Sequence, residues 1–172
     1  GHHWGFYNEN AERAGVGLAL NKKAQKCLIN FMQIIGRLIM AKFNCQGTIL
    51  NVICAYAPQA GSAIDVKDKF YKQLKDTIES IPTHEIIMTI GDFNARLHHI
   101  YDNELEHFGT HILRRGEAYL DTMNQQTKDN RQKFNEFVIQ QDLQAMNTRF
   151  QKNSKHLCTY KEIENVTEGP PW

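Results

Sequence analysis

Apolar side chains recur along this chain with two different periods. Gly15 to Asn21 (GVGLALN) is a short apolar run followed by the basic stretch NKKAQK, which predicts a strand leading into a surface turn. Residues 36–44 (GRLIMAKFN) and 48–58 (TILNVICAYAP) are rich in branched apolar residues and flank CQG (45–47), the signature of a β-hairpin. Pro58 has no backbone N–H to give to a sheet and stops the second strand. Residues 1–14 are polar and irregular and predict no element.

From Ile64 to Ile81 the period lengthens. Phe70, Leu74, Ile78 and Ile81 fall at i, i+4, i+8 and i+11 with Lys, Asp and Glu between them, the stripe of an amphipathic helix ending before Pro82. HEIIMTIGDFNA (84–95) then reads as a strand, and its unbroken apolar run fits a central strand covered on both faces. Residues 96–129 have weak periodicity and predict a long, partly ordered loop region, uncommon unless functional. Asp129 or Asn130 is placed to cap a helix through Phe134, Phe137 and Val138 to Gln141. LQAMNTRF (143–150) predicts a strand, and Leu157 to Tyr160 a further short one. This order, without internal repeat, is an α/β layout in which helices cover a mixed sheet.

The length, 172 residues, fits one domain of ordinary size. With 41% hydrophobic residues and a net charge of +1, the composition disfavours disorder. No run approaches the roughly 18 to 20 apolar residues of a membrane span. Twenty basic against 19 acidic side chains make no overall field for a polyanion, so any nucleic-acid contact must rest on local patches. Cys27, Cys45, Cys54 and Cys158 are far apart and lack ligand spacing, which predicts reduced, mostly buried thiols of an intracellular protein.

The sharpest chemical feature is IIMTIGDFNA. Two residues apart on an extended chain, Asp92 and Asn94 are expected to leave the same side while Phe93 points the other way. The carboxylate can orient or deprotonate a water, and the amide can donate to a developing oxyanion. Gly-Asp-x-Asn also has the composition of a plain turn after a strand, and both readings stand on local sequence. Tyr56 closes its strand before Pro58, where its phenol can reach a phosphate oxygen or pack half into the core. His98, His99, His107 and His111 invite a metal reading, but no helix period puts them on one face and no cysteine is near, so loop histidines are the simpler expectation. Arg114/Arg115 and Arg149/Lys152/Lys155 lie near apolar and aromatic residues and are weak candidates for phosphate contacts among otherwise solvated basic faces.

In order, GVGLALN, the AYAP strand end, the amphipathic helix and the strand closing in GDFNA resemble the endonuclease/exonuclease/phosphatase superfamily. They look most like the endonucleases of non-LTR retrotransposons and craniofacial-development-protein-2-like sequences, as do NTRF, CTY and GPPW near the C-terminus. The resemblance spans most of Gly15 to Trp172 and implies a four-layer α/β sandwich of the DNase-like type, incomplete at both ends. It makes residues 1–172 a single partial domain with its core at 15–172. The implied activity is phosphodiester hydrolysis of DNA with Mg2+ or Mn2+. By motif match, Asp92 positions or activates the water, Asn94 stabilises the transition-state phosphate and Tyr56 hydrogen-bonds the scissile phosphate. Asn130 loosely matches the Asn before the family's next helix, a weak substrate contact alongside Arg114 and Arg115.

The departures from the pattern are as informative. Nothing before Gly15 matches the family's strand with Asn or the strand with the metal-binding Glu, and the chain stops before its Asp-bearing strand and Ser-Asp-His element. The expectation is a fragment of a longer polypeptide, with exposed sheet edges and core surface and little activity alone. DNA is the expected partner, no membrane is, and nuclear action is implied only by the resemblance. A phosphatase on small or lipid phosphates such as inositol polyphosphates, and a catalytically dead binding remnant, are the alternatives.

Overall fold

The structure, a computed structural model, describes residues 2–5, 15–113 and 116–153. They fall into two compact units, one within Gly1–Arg96 and Met123–Leu143, the other within residues 97–122 and 144–153. The expected strand at Leu157 to Tyr160 lies outside the described residues.

The first unit is built on a four-stranded sheet in the order β3 (Leu28–Ile35), β4 (Leu38–Cys45), β5 (Thr48–Tyr56), β6 (Ile86–Asp92). The first three strands are antiparallel and β6 runs parallel to β5, so the sheet is mixed. The expected β4–β5 hairpin forms, closed by Cys45↔Thr48 around Gln46 and Gly47, both at positive φ (56° and 94°), the backbone of a tight hairpin turn. A parallel neighbour needs a crossover, and α2 (Ile64–Glu79) supplies it between β5 and β6.

Alternation along the strands divides the core. Ile39, Ala41, Phe43, Val52 and Cys54 share one face and pack with Leu20, Leu18, Ala24 and Phe31. Leu18 and Leu20 belong to β2 (Gly17–Leu20), which pairs antiparallel with β1 (His2–Gly5), and Ala24 to the short helix α1 (Lys22–Cys27). The opposite residues Leu38, Met40, Ile53 and Ala55 are also buried. In this unit α2 and α4 (Gln125–Gln140) remain to cover that face, with buried stripes of Phe70, Leu74 and Ile78 on α2 and Phe137 and Val138 on α4. The chain is α/β, and in its first unit α2 and α4 lie on one face of a mixed sheet, the small second sheet and α1 on the other.

Several local expectations are corrected. His2–Gly5 is a strand because β2 offers it backbone partners, although its own pattern is irregular. NKKAQK is a helix rather than a turn, because the Asn21 side chain accepts the Ala24 N–H at 2.9 Å and caps it. Strand β3 was not legible: two register shifts, at Leu28/Asn30 and Gln33/Ile35, break its period of two. Helix α4 begins at Gln125, capped by Asn124, ahead of the expected Asp129 or Asn130. Strand β6 is not covered on both faces. It is the sheet edge, and Ile86, Met88 and Ile90 stand 51%, 49% and 41% exposed.

The end of β6 remote from Asp92 is tied down by charge. Glu85, with 7% of its side chain exposed, accepts from Lys42 Nζ at 2.6 Å and Asn51 Nδ2 at 2.7 Å. These hydrogen bonds hold its carboxyl below the ordinary glutamate range. A depressed carboxylate stabilises the fold fully above its ordinary pKa, and that contribution is lost as pH falls through the folded value. Urea unfolding of wild type and Glu85→Gln should therefore differ at pH 7 and converge as pH drops below about 4. Equal acid losses in both proteins would show that the tie contributes nothing.

In the second unit, the stretch expected to be loop carries a 3₁₀ turn at Asp102–Glu104 and helix α3 (Glu117–Thr122). Glu104 Oε2 accepts the Tyr101 N–H at 2.9 Å, and Phe108 is fully buried. Residues 143–150 do not form a strand. Ala145 makes one bridge to Phe108, and a 3₁₀ turn follows at Met146–Thr148. The side-chain reason is Thr148, 1% exposed, whose hydroxyl accepts the Gly109 N–H at 2.7 Å and donates to Ala145 O at 2.6 Å, curling the chain. Arg149, a weak phosphate candidate by sequence, donates instead to the carbonyls of Leu105 and Glu106 and to Gln144 Oε1.

Candidate active site

The C-terminal ends of parallel strands β5 and β6 lie side by side, and the register pairs Tyr56 with Asp92 as the last couple of the ladder. Open α/β sheets present their chemistry at such strand ends, where the chain turns off and side chains are free of the core. The close is tight. Ala57 N–H donates to Asp92 O at 2.8 Å, and Gly91 sits at φ 140° opposite Ala55, where an added Cβ would stand 1.8 Å from Ala55 O. Only glycine fits there.

Asp92 is exposed, and its Oδ1 accepts the Asn94 N–H at 2.8 Å, an Asx turn that folds the chain back at once. GDFN is thus a turn, and the turn keeps Asp92 Oδ2 without a partner among the described residues. Asn94, at φ 48°, does not continue the strand. Its Nδ2 donates to Ala57 O at 2.7 Å, which among the described residues leaves one amide N–H and Oδ1 for other work. Phe93 packs on Phe134 of α4, ring centres 4.9 Å apart, and so anchors the turn to the helix layer.

Tyr56 is half-buried, and sequence reasoning missed its neighbour. Arg37, in the two-residue link between β3 and β4, places its guanidinium 5.2 Å from the Tyr56 ring centre, and its backbone carbonyl accepts the Tyr56 N–H at 3.0 Å. The hairpin register contains the signal. Counting eight residues outward from Cys45↔Thr48 along both strands sets Arg37 opposite Tyr56.

Asn130, expected at the substrate, lies in the first turns of α4 and is 4% exposed. Its Nδ2 donates to Pro58 O at 3.0 Å and to Asn94 O at 3.2 Å, joining the loop after β5 to the turn after β6. In this position it braces the two backbone segments. Arg114 and Arg115 lie outside the described residues. The structure thus brings together Tyr56, Asp92, Asn94 and Arg37, with Asn130 behind them.

The assembled groups are a free carboxylate oxygen, a phenol, an amide and a cation. They suit a tetrahedral anion, with Arg37 and Tyr56 to bind its oxygens and Asp92 to hold a water or a hard metal ion. Asp92 and the Asn94 amide oxygen are oxygen donors of the kind Mg2+ takes, an ion often held by only one or two carboxylates. Among the described residues there is no group of three His, Cys, Asp or Glu able to hold a metal ion by itself. Among them, too, no helix is long and apolar enough to cross a membrane.

No family model matches the chain. Over 97 residues, 55% of its length, it is 29% identical to craniofacial development protein 2 of Bos taurus, and to the same extent to that of Tragulus javanicus. The aligned stretch is 16% and 17% of those two proteins. The chain spans about one sixth of the length of the curated relatives it matches.

Proposed function

We propose that this chain carries the central part of a magnesium-dependent phosphodiesterase site acting on DNA, in a longer polypeptide of the endonuclease/exonuclease/phosphatase superfamily and of retroelement origin. The observation that carries the reading is the pairing of Tyr56 with Asp92 at adjacent strand ends, with the Arg37 guanidinium against the Tyr56 ring. The similarity to craniofacial development protein 2 supports the superfamily part of this reading from sequence.

In this reading Arg37 and the Tyr56 hydroxyl bind non-bridging oxygens of the scissile phosphate. Asp92 Oδ2 aligns the attacking water and takes its proton as the new P–O bond forms and the bond to one sugar oxygen breaks, that oxygen leaving as an alkoxide protonated by solvent water. Asn94, held by Ala57, turns its remaining amide N–H to the charge that builds on the phosphoryl group. A magnesium ion, for which the Asn94 amide oxygen is an available donor, would supply neutralisation of phosphate charge. The 172-residue chain alone is then expected to be nearly inactive, and the acting protein to work where DNA is, in the nucleus.

The test is nicking of supercoiled plasmid with magnesium, comparing this chain with a form extended at both ends, beside hydrolysis of inositol polyphosphates. Nicking by the extended form, lowered about ten- to a hundredfold by Arg37→Ala through loss of a charged phosphate contact, is the expected result. Hydrolysis of inositol phosphates without nicking would favour the phosphatase reading. DNA binding without turnover by either form would leave a catalytically dead binding module.

A further inference from the structure

Lys67 is the one lysine on the apolar stripe of α2, in line with Phe70, Leu74 and Ile78, and it is 2% exposed. Its Nζ donates to Ala60 O at 2.8 Å, and among the described residues it forms no ion pair. Such a placement works against the fold in two ways. A buried ammonium without a counter-charge loses hydration that one carbonyl does not replace. It also lies in the first turn of a helix, at the positive end of the macrodipole. An apolar side chain of the same length would suit the helix–sheet core better.

What the ammonium does hold is the loop after Tyr56. Three carbonyls of this short loop are each bound by a side chain from a different element: Ala57 by Asn94, Pro58 by Asn130 and Ala60 by Lys67. The first bond uses the Asn94 amide of the candidate site itself, so the position of that amide depends on where the loop lies. The loop's own closure is slight, a single turn bond from Ser62 N–H to Gln59 O at 3.0 Å that spans Ala60.

We infer that Lys67 is a positioning residue, which clamps the 57–60 loop through Ala60 so that Asn94 and Tyr56 keep the geometry needed to hold a phosphodiester. The inference deepens the proposed phosphodiester reaction and, for its functional half, rests on it. It separates stability from function: removing the charge should not weaken the fold, yet should loosen the loop and slow the reaction.

The experiment replaces Lys67 with methionine, which fills the same space without charge. In the 172-residue chain, the melting temperature of Lys67→Met should be unchanged or higher, while hydrogen exchange at the Ser62 amide accelerates about tenfold or more relative to amides of α2 and β5. In the extended, magnesium-loaded form, kcat for plasmid nicking should fall about tenfold with KM little changed, the mark of misplaced rather than missing contacts. Unchanged Ser62 exchange overturns the clamp. So does a variant that melts lower with α2 loosened alongside, or fails to fold, since the lysine would then be structural. If the wild-type extended form is inert, the proposed reaction fails separately, and Ser62 exchange still decides whether Lys67 holds the loop.

Discussion

Asp92→Ala in the extended form should reduce magnesium-dependent plasmid nicking by about a thousandfold or more, roughly 4 kcal/mol of lost transition-state stabilisation. The size follows from what the carboxylate is asked to do, which no neighbour can take over. Asn94 is tied to Ala57, Tyr56 offers a hydroxyl in place of a carboxylate, and Arg37 carries the wrong charge. The fold should barely notice. Asp92 is exposed and makes one side-chain hydrogen bond among the described residues, so the melting point should fall by only a few degrees. Asp92→Asn is the sharper control. Its Oδ1 can still accept the Asn94 N–H and keep the Asx turn, while the negative charge is gone. Both variants should be inactive and folded. Substantial nicking by Asp92→Asn would mean that Asp92 shapes the turn and takes no part in the chemistry, and the site would have to be sought elsewhere.

A second large effect is expected one residue earlier. Gly91→Ala puts a methyl group 1.8 Å from the carbonyl oxygen of Ala55, at a backbone φ of 140° that L-residues rarely adopt. The obstacle is backbone in a buried, paired strand and cannot swing aside as a flexible side chain would. Relief requires the β5–β6 ladder to open at its last pairs, Ala55↔Gly91 and Tyr56↔Asp92. Loss of those bonds and of the local packing should cost about 3 kcal/mol or more, a drop in melting temperature on the order of 10 °C. Because Tyr56 and Asp92 form the adjacent pair, whatever activity the extended form has should fall as well. Thermal unfolding followed by circular dichroism would check the first point. A shift under about 2 °C would show that the strand end adjusts freely, and the close approach of the two backbones would then carry no structural weight.

Both effects concern a segment that stands out in the sequence. GDFN stood out because a carboxylate and an amide follow an apolar strand, and AYAP because proline must end the strand that carries Tyr56. What linear reading missed depends on partners. Arg37 is unremarkable in GRLIM until the hairpin register sets it against Tyr56. Asn130 reads equally well as a helix cap or a substrate contact, until burial and two acceptors, Pro58 O and Asn94 O, commit both of its amide hydrogens. Strand β6 reads as fully covered because Ile86, Met88 and Ile90 are apolar, but whether an apolar face is covered depends on what else packs there, and in this structure it is open.

The sequence by itself determined the α/β class, the β4–β5 hairpin, the extent of α2 and the residue types at the two strand ends. These follow from interactions among residues close in the chain: alternation, the helical period, a turn that tolerates positive φ, and a proline without an N–H. The tertiary structure alone decided that β5 and β6 run parallel and end together, that β6 is an edge, and that Asn94, Asn130 and Lys67 converge on one loop. Those outcomes come from pairings between residues far apart in sequence, such as Asn130 with Pro58 across 72 positions, whose energies exist only once the chain has closed.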